Sequence, residues 1–351
     1  MPLRGTFSEI LQGQLIRYPR MEPRDCVKLA YQNALGPAHA ALDRDAVHRA
    51  LLAEWGELSD RGAPCPPEPI GNGLCRFHLA GTGELPLAAS LLADLFCLTA
   101  GSFRGQRETL EENLETLENL ALPGMAAFVA EYRREGCPAV HHSDQYREAY
   151  QPHYRVLLTA HGGYFQALLA VARLSARGAP AIVAIDGRCG SGKSGLGDLL
   201  GKLFPCNVVH MDDYYLPLDQ RDERWESIPG GNMDFARFLR EVLTPAGRGE
   251  AIHYRPFDCQ SGRLKEERIL PARTLTVVEG SYSQHPRLTD RYDLKIFLTC
   301  DPDRQRCRLT QREGPHFAAY VSRWMPMEER YFRQCGTEEG SGLVVDTTDF
   351  F

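Results

Sequence analysis

A glycine-rich segment, Gly187–Ser194, carries the residue types that hold a phosphate chain. It reads Gly-Arg-Cys-Gly-Ser-Gly-Lys-Ser and matches G-x-x-x-x-G-K-[ST] at every fixed position. Glycines let backbone N–H groups turn towards an anion, and a helix that begins at the lysine offers its free N–H groups to that anion. Lys193 would reach the β- and γ-phosphates, and the Ser194 hydroxyl would bind Mg²⁺. We therefore expect a nucleoside triphosphate to bind through Gly187, Arg188, Cys189, Gly190, Ser191, Gly192, Lys193, Ser194 and Gly195.

Acidic residues follow two further apolar segments. Asp212 and Asp213 come after residues 207–211, and Glu279 ends the apolar run of residues 274–278. Ligands collect at the carboxyl ends of parallel strands, so carboxylates placed there lie near the phosphates. One carboxylate can accept the proton of a substrate hydroxyl, while Ser194, Glu279 and Asp213 hold the metal. The alternative is a pair of ordinary turns with solvated acids.

Further candidates for substrate and phosphate contacts are aromatic or basic. Arg304, Arg308 and Arg312 are spaced four apart and share one helix face, which can close over a triphosphate or remain a solvated basic face. The candidate substrate residues are Tyr214, Tyr215, Arg255, Asp258 and Arg263. Residues 253–263 fit a salt-bridged hairpin equally well.

The elements that must position these residues divide the chain into two halves. Strand and helix patterns alternate from residue 181 onwards, which predicts an α/β fold with a parallel sheet and helices on both faces. The earlier residues show mostly helical spacing. We predict a mainly helical accessory domain over 1–160, of unassigned role, and a P-loop domain over 161–351.

Composition narrows the classes of function. The chain has 351 residues, a formal net charge of −6 and a sequence pI near 6.0, which argues against broad nucleic-acid binding. No apolar run approaches the ~20 residues of a membrane span. Eleven scattered cysteines without an export signal indicate reduced thiols and a cytoplasmic location. A small-molecule substrate is expected, and a homo-oligomer is left open.

The helical half offers polar side chains that could converge on a ligand. They are Lys28, Gln32, Asn33, His39, Asn72, Arg76 and His78. His141 and His142 add a metal hypothesis, although no metal-ligand spacing appears. The alternative is a helical accessory domain whose polar groups satisfy one another.

Residues 180–348 resemble the uridine kinase and phosphoribulokinase group of P-loop small-molecule kinases. The phosphate loop, Asp-Asp-Tyr-Tyr, Arg-Pro-Phe-Asp, Val-Glu-Gly, Tyr-Asp-Leu-Lys-Ile-Phe-Leu and the arginine-rich segment carry the resemblance. It implies ATP- and Mg²⁺-dependent phosphorylation of a hydroxyl on a nucleoside, sugar or vitamin-like molecule. It also implies that Asp212 is the catalytic base and that Lys193, Arg308 and Arg312 clamp the phosphates.

Three departures from uridine kinases bear on the substrate. Residues 257–263 lack the nucleoside-contacting histidine, and the paired arginines are spaced four apart, where uridine kinases usually have three. The insertion at residues 224–234 also differs from the usual nucleoside-contact segment. Phosphoryl transfer remains the expectation, whereas uridine and the choice between ATP and GTP stay open. The alternatives are a nucleotide-driven ATPase or switch whose helical half binds a partner, and a bifunctional enzyme with a second activity in that half.

Overall fold

The computed structural model describes residues 5–37, 43–58, 65–80, 82 and 86–351. It divides into two compact units, Met1–Phe165 with Phe350–Phe351, and Gln166–Asp349. Each unit has its own cluster of buried apolar side chains.

In the described part of the chain no single helix has the length and apolar character of a membrane span. One bent pair, Leu87–Ser102 with Arg107–Glu118, meets those criteria only when its two helices are taken together, across a 99° bend.

The N-terminal unit is built mainly from helices. Their bounds are α1 Phe7–Arg17, α2 Pro23–Leu35, α3 Arg44–Glu57, α4 Leu87–Ser102, α5 Arg107–Glu118, α6 Met125–Arg134, α7 Asp144–Tyr150 and α8 Thr159–Gly163. Helix α2 supplies much of the core because its residues 26–34 are almost all buried, against α5 and α6 on one side. The expected helical character of this half is confirmed.

A small antiparallel sheet in the same unit was not predicted. Strands β1 Glu68–Gly71, β2 Leu74–His78 and β3 Tyr154–Leu158 pair in the order β1-β2-β3. Strands this short leave little periodic signal, and β3 pairs with a strand far away in the sequence. The sheet matters because β2 and β3 place polar side chains against α2.

The C-terminal unit contains a five-stranded parallel sheet. Its strands are β4 Ala181–Gly187, β5 Cys206–His210, β10 Leu275–Glu279, β11 Leu294–Thr299 and β12 Leu343–Asp346, in the order β12-β11-β4-β10-β5. Every residue of β4 is buried, as expected for the central strand of a sheet covered on both faces. The shorter strands, in two hairpin-like pairs, are β6 Ile252–Tyr254, β7 Phe257–Asp258, β8 Arg263–Leu264 and β9 Arg268–Leu270.

Helices connect and cover this sheet. They are α9 Phe165–Ser175, whose first residue belongs to the N-terminal unit, α10 Lys193–Leu203, α11 Phe235–Phe238, α12 Thr244–Ala246, α13 Pro302–Glu313, α14 Phe317–Ala319 and α15 Met325–Cys335. Single π-helical turns join α11 to α12 and α14 to α15. The predicted α/β fold with a parallel sheet is confirmed.

Candidate active site

The phosphate loop joins the central strand β4 to helix α10. Gly187 ends β4 with φ +137°, and a Cβ there would lie 2.0 Å from the Leu298 carbonyl oxygen. Gly192, with φ +97°, precedes the first residue of α10. Lys193 Nζ donates to the Gly187 carbonyl at 2.6 Å, so the ammonium lies against the loop. The predicted strand, turn and helix therefore hold the loop in the expected shape.

Glu279 meets Ser194 at the carboxyl edge of the sheet. It ends β10 and pairs in register with Ile185 of β4 and His210 of β5. The Ser194 hydroxyl donates to the Glu279 carboxylate, at 3.2 and 3.3 Å from its two oxygens. His210 Nδ1 also bonds to this carboxylate, and that bond raises the pKa of His210 above its ordinary value.

Asp212 lies at the same edge, in the 3₁₀ turn that follows β5. Its surface is open to the cavity, yet protein atoms surround the carboxyl group on the other sides. This desolvation raises the pKa of Asp212, and the negative charge of Glu279 adds to the effect. The Tyr215 hydroxyl donates to Asp212 Oδ1 at 2.8 Å and fixes the carboxylate.

A cavity of about 860 Å³ brings these groups together. The predicted site residues that line it are Cys189, Gly190, Gly192, Lys193, Ser194, Gly195, Asp212, Tyr215, Glu279 and Arg312. The loop, the hydroxyl–carboxylate pair and the proposed base thus share one space, as phosphoryl transfer requires.

The structure adds cavity residues that the sequence reasoning missed. Glu328, on α15, accepts a hydrogen bond from the Cys189 N–H at 2.9 Å and so contacts the phosphate loop directly. The Arg323 guanidinium lies over the rings of Trp225 and Trp324, at 4.8 and 5.2 Å from their centroids. In the sequence, this cluster of Arg323, Trp225 and Trp324 is signalled by the adjacent Arg323 and Trp324, which follow the arginine-rich helix.

Two residues expected in the catalytic machinery do not line the cavity. Asp213 accepts a hydrogen bond from the Tyr254 hydroxyl at 3.2 Å and lies 3.7 Å from Arg268, so its side chain is engaged away from Ser194. Arg308 donates to the Thr347 carbonyl at 2.5 Å and to the Gly190 carbonyl at 3.3 Å. The metal role of Asp213 and the phosphate-clamp role of Arg308 are therefore not supported by their positions.

Several proposed substrate contacts are also placed elsewhere. Tyr214 is completely buried and packs edge-on against Phe238. The other three are Arg255, which donates to the Lys265 carbonyl at 2.7 Å; Asp258, which caps the turn at residues 260–261; and Arg263, which lies on exposed β8. Arg255, Asp258 and Arg263 therefore belong to a hairpin, which is the alternative that the sequence left open.

Arg188 and Ser191 support the loop without lining the cavity. Arg188 is held by Glu329 and Glu338, at 2.7 and 3.1 Å, and Ser191 is completely buried. Their side chains therefore hold the loop backbone in place and do not face the cavity.

Part of the polar set in the N-terminal unit does converge. Arg76 donates to Gln32 Oε1 at 2.9 Å, and Lys28 lines the same cavity as Gln32. The others hold the backbone or an acid: Asn33 donates to the Ile70 carbonyl, Asn72 to the Asn33 carbonyl, and His78 contacts Glu68 at 3.2 Å. His39 lies outside the described residues.

The metal hypothesis for His141 and His142 is not supported. His142 Nδ1 contacts Asp25 and its Nε2 contacts Tyr154, so both ring nitrogens are occupied. Within the described ranges no group of three or more His, Cys, Asp or Glu side chains forms a metal cluster.

The donor set at the phosphate loop nevertheless suits Mg²⁺. Ser194 and Glu279 supply a hydroxyl and a carboxylate 3.2 Å apart, and both line the cavity beside the loop. Mg²⁺ prefers oxygen ligands and is usually bound through one or two protein groups together with substrate phosphates. The residues present therefore fit the ion.

A parallel sheet with the phosphate loop after its central strand, and carboxylates at or just after the neighbouring strand ends, defines the C-terminal unit as a P-loop nucleotide-binding fold. Among solved structures, this chain is similar to a possible uridine kinase from Bacillus stearothermophilus, at 17% identity and a TM-score of 0.39, over 48% of this chain and 89% of that one. It is also similar to a protein from Silicibacter sp. TM1040 provisionally named a fructose transport system kinase, at 22% identity and a TM-score of 0.40, over 50% of this chain and 98% of that one. No family model and no curated protein matches the chain.

Proposed function

We propose that the chain is an ATP- and Mg²⁺-dependent kinase that transfers the γ-phosphoryl group to a hydroxyl of a small molecule. One observation supports it above all: a single cavity of about 860 Å³ holds the phosphate loop, the Ser194–Glu279 pair and Asp212. This volume is near the upper end of the ~300–1,000 Å³ of small-molecule sites, as expected where two ligands must meet.

The cavity residues take different roles according to their chemistry. The loop amides, Lys193 and Arg312 bind the phosphates and stabilise the charge that spreads over the transferred group. Ser194 and Glu279 would hold the Mg²⁺, which supplies further neutralisation of phosphate charge. Asp212 accepts the proton of the acceptor hydroxyl, and the Tyr215 hydrogen bond keeps its carboxylate oriented.

The acceptor would lie against the less polar part of the cavity. Tyr215, Phe257, Cys259 and Tyr282 line that part. Aromatic rings with hydroxyl groups bind polar, ring-shaped molecules through both stacking and hydrogen bonds. A nucleoside, a sugar or a vitamin-like alcohol fits that description.

The test is ADP release with ATP and Mg²⁺ against a panel of nucleosides, sugars, polyols and vitamins. We expect one acceptor class to stimulate release and to give a product heavier by one phosphoryl group. Asp212→Asn should retain ATP binding and lose transfer by about 10²- to 10⁴-fold, the contribution of a general base.

Lys193→Ala is the matched variant, since it should weaken both binding and transfer. Wild-type turnover in Asp212→Asn would remove that residue as the base. Steady ADP release that no acceptor stimulates would contradict the kinase proposal and favour an ATPase or a nucleotide-driven switch.

A further inference from the structure

The N-terminal unit contains a second cavity, of about 300 Å³. Its polar lining includes Lys28, Gln32, His142, Arg147, Tyr154 and Arg155. None of the described residues that line it is an aspartate or a glutamate. Every charged side chain among these lining residues is therefore basic, and the cavity is concave, which are two features of a site for a small anion.

Lys28 is the cation in this cavity whose charge is least compensated. Its ammonium donates to the Val140 carbonyl at 2.9 Å, and no carboxylate in the described ranges lies within 4.0 Å of it. Burial, followed by the positive charge of Arg76, lowers the pKa of Lys28 to about 8. An ammonium has three N–H donors, so an anion in the cavity could accept from those that Val140 leaves.

The two arginines on the lining differ from Lys28 because each already has a carboxylate partner. Arg155 donates to both oxygens of Glu54, at 2.7 and 2.9 Å, and exposed Arg147 pairs with Asp144. Their guanidinium groups are already paired, whereas the Lys28 ammonium still has N–H donors to offer.

Beneath Lys28, a chain of hydrogen bonds fixes the floor of the cavity. Arg76, only 1% exposed, donates to Gln32 Oε1, and Gln32 Nε2 donates to the Tyr154 hydroxyl at 3.2 Å. Tyr154 then contacts His142 Nε2 at 2.6 Å, and His142 Nδ1 contacts Asp25 at 2.8 Å. With His142 neutral, the Tyr154 hydroxyl donates to Nε2 and the Nδ1–H donates to Asp25.

These hydrogen bonds hold the side chains of the cavity floor in one arrangement before any ligand binds. Asp25 also accepts a hydrogen bond from the Ser143 hydroxyl at 2.7 Å, so its carboxylate is engaged within the hydrogen-bond network. The buried guanidinium of Arg76 has its nearest carboxylate, Glu68, at 3.5 Å. Burial and the positive charge of Arg76 lower the pKa of Lys28, and a dianion that accepted a hydrogen bond from Lys28 would favour its charged form.

We propose that this cavity is a binding site for a small dianion, a phosphate monoester or a dicarboxylate, held by Lys28 against the floor of Gln32, Tyr154 and His142. Its volume admits on the order of ten non-hydrogen atoms, from the ~30 Å³ that a water molecule occupies. The inference is independent of the proposed kinase activity because the two cavities share no residue.

The test is site-resolved amine acetylation of the whole chain, with each of its five lysines quantified by peptide mass spectrometry. The probes are inorganic phosphate, glycerol 3-phosphate and succinate, with sodium chloride at matched ionic strength. We expect a dianion to slow acetylation of Lys28 in a saturable manner and to leave exposed Lys202 unchanged. Lys193 in the same sample reports the phosphate loop, so failure of one site is read separately from failure of the other.

The probes distinguish the two ligand classes: protection by the phosphates indicates a phosphate monoester, and protection by succinate indicates a dicarboxylate. In a direct binding assay, Lys28→Gln should lose about tenfold or more in affinity, the value of one charge-assisted hydrogen bond, whereas Arg147→Gln should lose less because Asp144 already pairs with Arg147. No saturable protection by any dianion, or equal protection by sodium chloride, would overturn the proposal, and neither result depends on the stability of a variant.

Discussion

Asp212 and Asp213 are adjacent in the sequence, but their side chains have different surroundings. Asp212 lies in the cavity wall with a raised pKa, while Asp213 turns to Tyr254 and Arg268. Both belong to one 3₁₀ turn, in which consecutive side chains point about 120° apart. Because only one of two such neighbours can face the phosphate loop, the acidic pair supplies one carboxylate to the cavity rather than two.

His142 makes a residue-scale prediction about pH. Burial is the main cause that lowers the pKa of His142 to about 4, from an ordinary value of 6.5, although Asp25 acts in the other direction. The unfolded chain therefore binds the extra proton between these two values and the folded unit does not. The resulting contribution to stability is complete above pH 6.5 and is lost as the pH falls to about 4, by about 3 kcal/mol.

The measurement is the free energy of unfolding of wild type and His142→Gln from pH 7 to pH 4. The variant is less stable at pH 7, since it loses the bonds to Asp25 and Tyr154, and its stability should fall less steeply with acid. His285, whose pKa is also lowered to about 4, remains in both proteins and cancels in the difference. Parallel curves for the two proteins would show that His142 does not control the acid response.

At the scale of elements, helix α13 acts as a support for the phosphate loop. Gln305 donates to the Cys189 carbonyl at 2.9 Å and Arg308 to the Gly190 carbonyl at 3.3 Å. Asp301 caps the start of the helix by accepting from the N–H groups of residues 303 and 304. The shared face of the arginines is thus used in two ways: Arg308 braces the loop, and Arg312, one turn later, lines the cavity.

The junction of β4 and the loop gives an element-scale prediction. Gly187→Ala should destabilise the C-terminal unit by about 3 kcal/mol or more, because the added Cβ would overlap the Leu298 carbonyl and the residue has a positive φ. Gly195→Ala is the matched control, since nothing lies within 4 Å of its Cβ position in α10. There we expect a gain of up to about 1 kcal/mol.

Chemical denaturation followed by circular dichroism without nucleotide measures both variants. Equal stability of the two alanine variants would mean that the strand end tolerates a side chain, against the close approach to Leu298.

At the scale of the whole molecule, the tryptophans allow the two units to be followed separately. Trp55 is buried in the N-terminal unit, and Trp225 and Trp324 belong to the C-terminal unit. Because the proposed nucleotide residues all lie in the C-terminal unit, a nonhydrolysable ATP analogue with Mg²⁺ should stabilise that unit by about 2.7 kcal/mol at a concentration of 100 Kd.

The measurement is fluorescence-detected unfolding of two variants, Trp55→Phe and Trp225→Phe/Trp324→Phe, each at a ligand concentration set by its own Kd. The first should show the full shift and the second, which reports Trp55, little or none. A shift of equal size at Trp55 would instead show that nucleotide binding is coupled to the helical half, as the switch alternative requires.

The sequence by itself determined the fold class of the C-terminal unit and predicted several residues of its candidate site. The predicted phosphate loop is a local run, Gly187–Ser194, and the alternation of apolar strands with amphipathic helices is also local, so both can be recognised without coordinates. Asp212 and Glu279 were predicted for the same reason, because Glu279 ends a strand and Asp212 lies in the turn directly after one.

Only the tertiary structure decided which side chains meet across long stretches of chain. Glu328 reaches the Cys189 N–H from 139 positions away, and His142 reaches Asp25 across 117 positions. Side-chain direction within a turn separated Asp212 from Asp213, and strand pairing brought Tyr154 beside Arg76. Such contacts depend on the packing of whole elements, and no local periodicity encodes them.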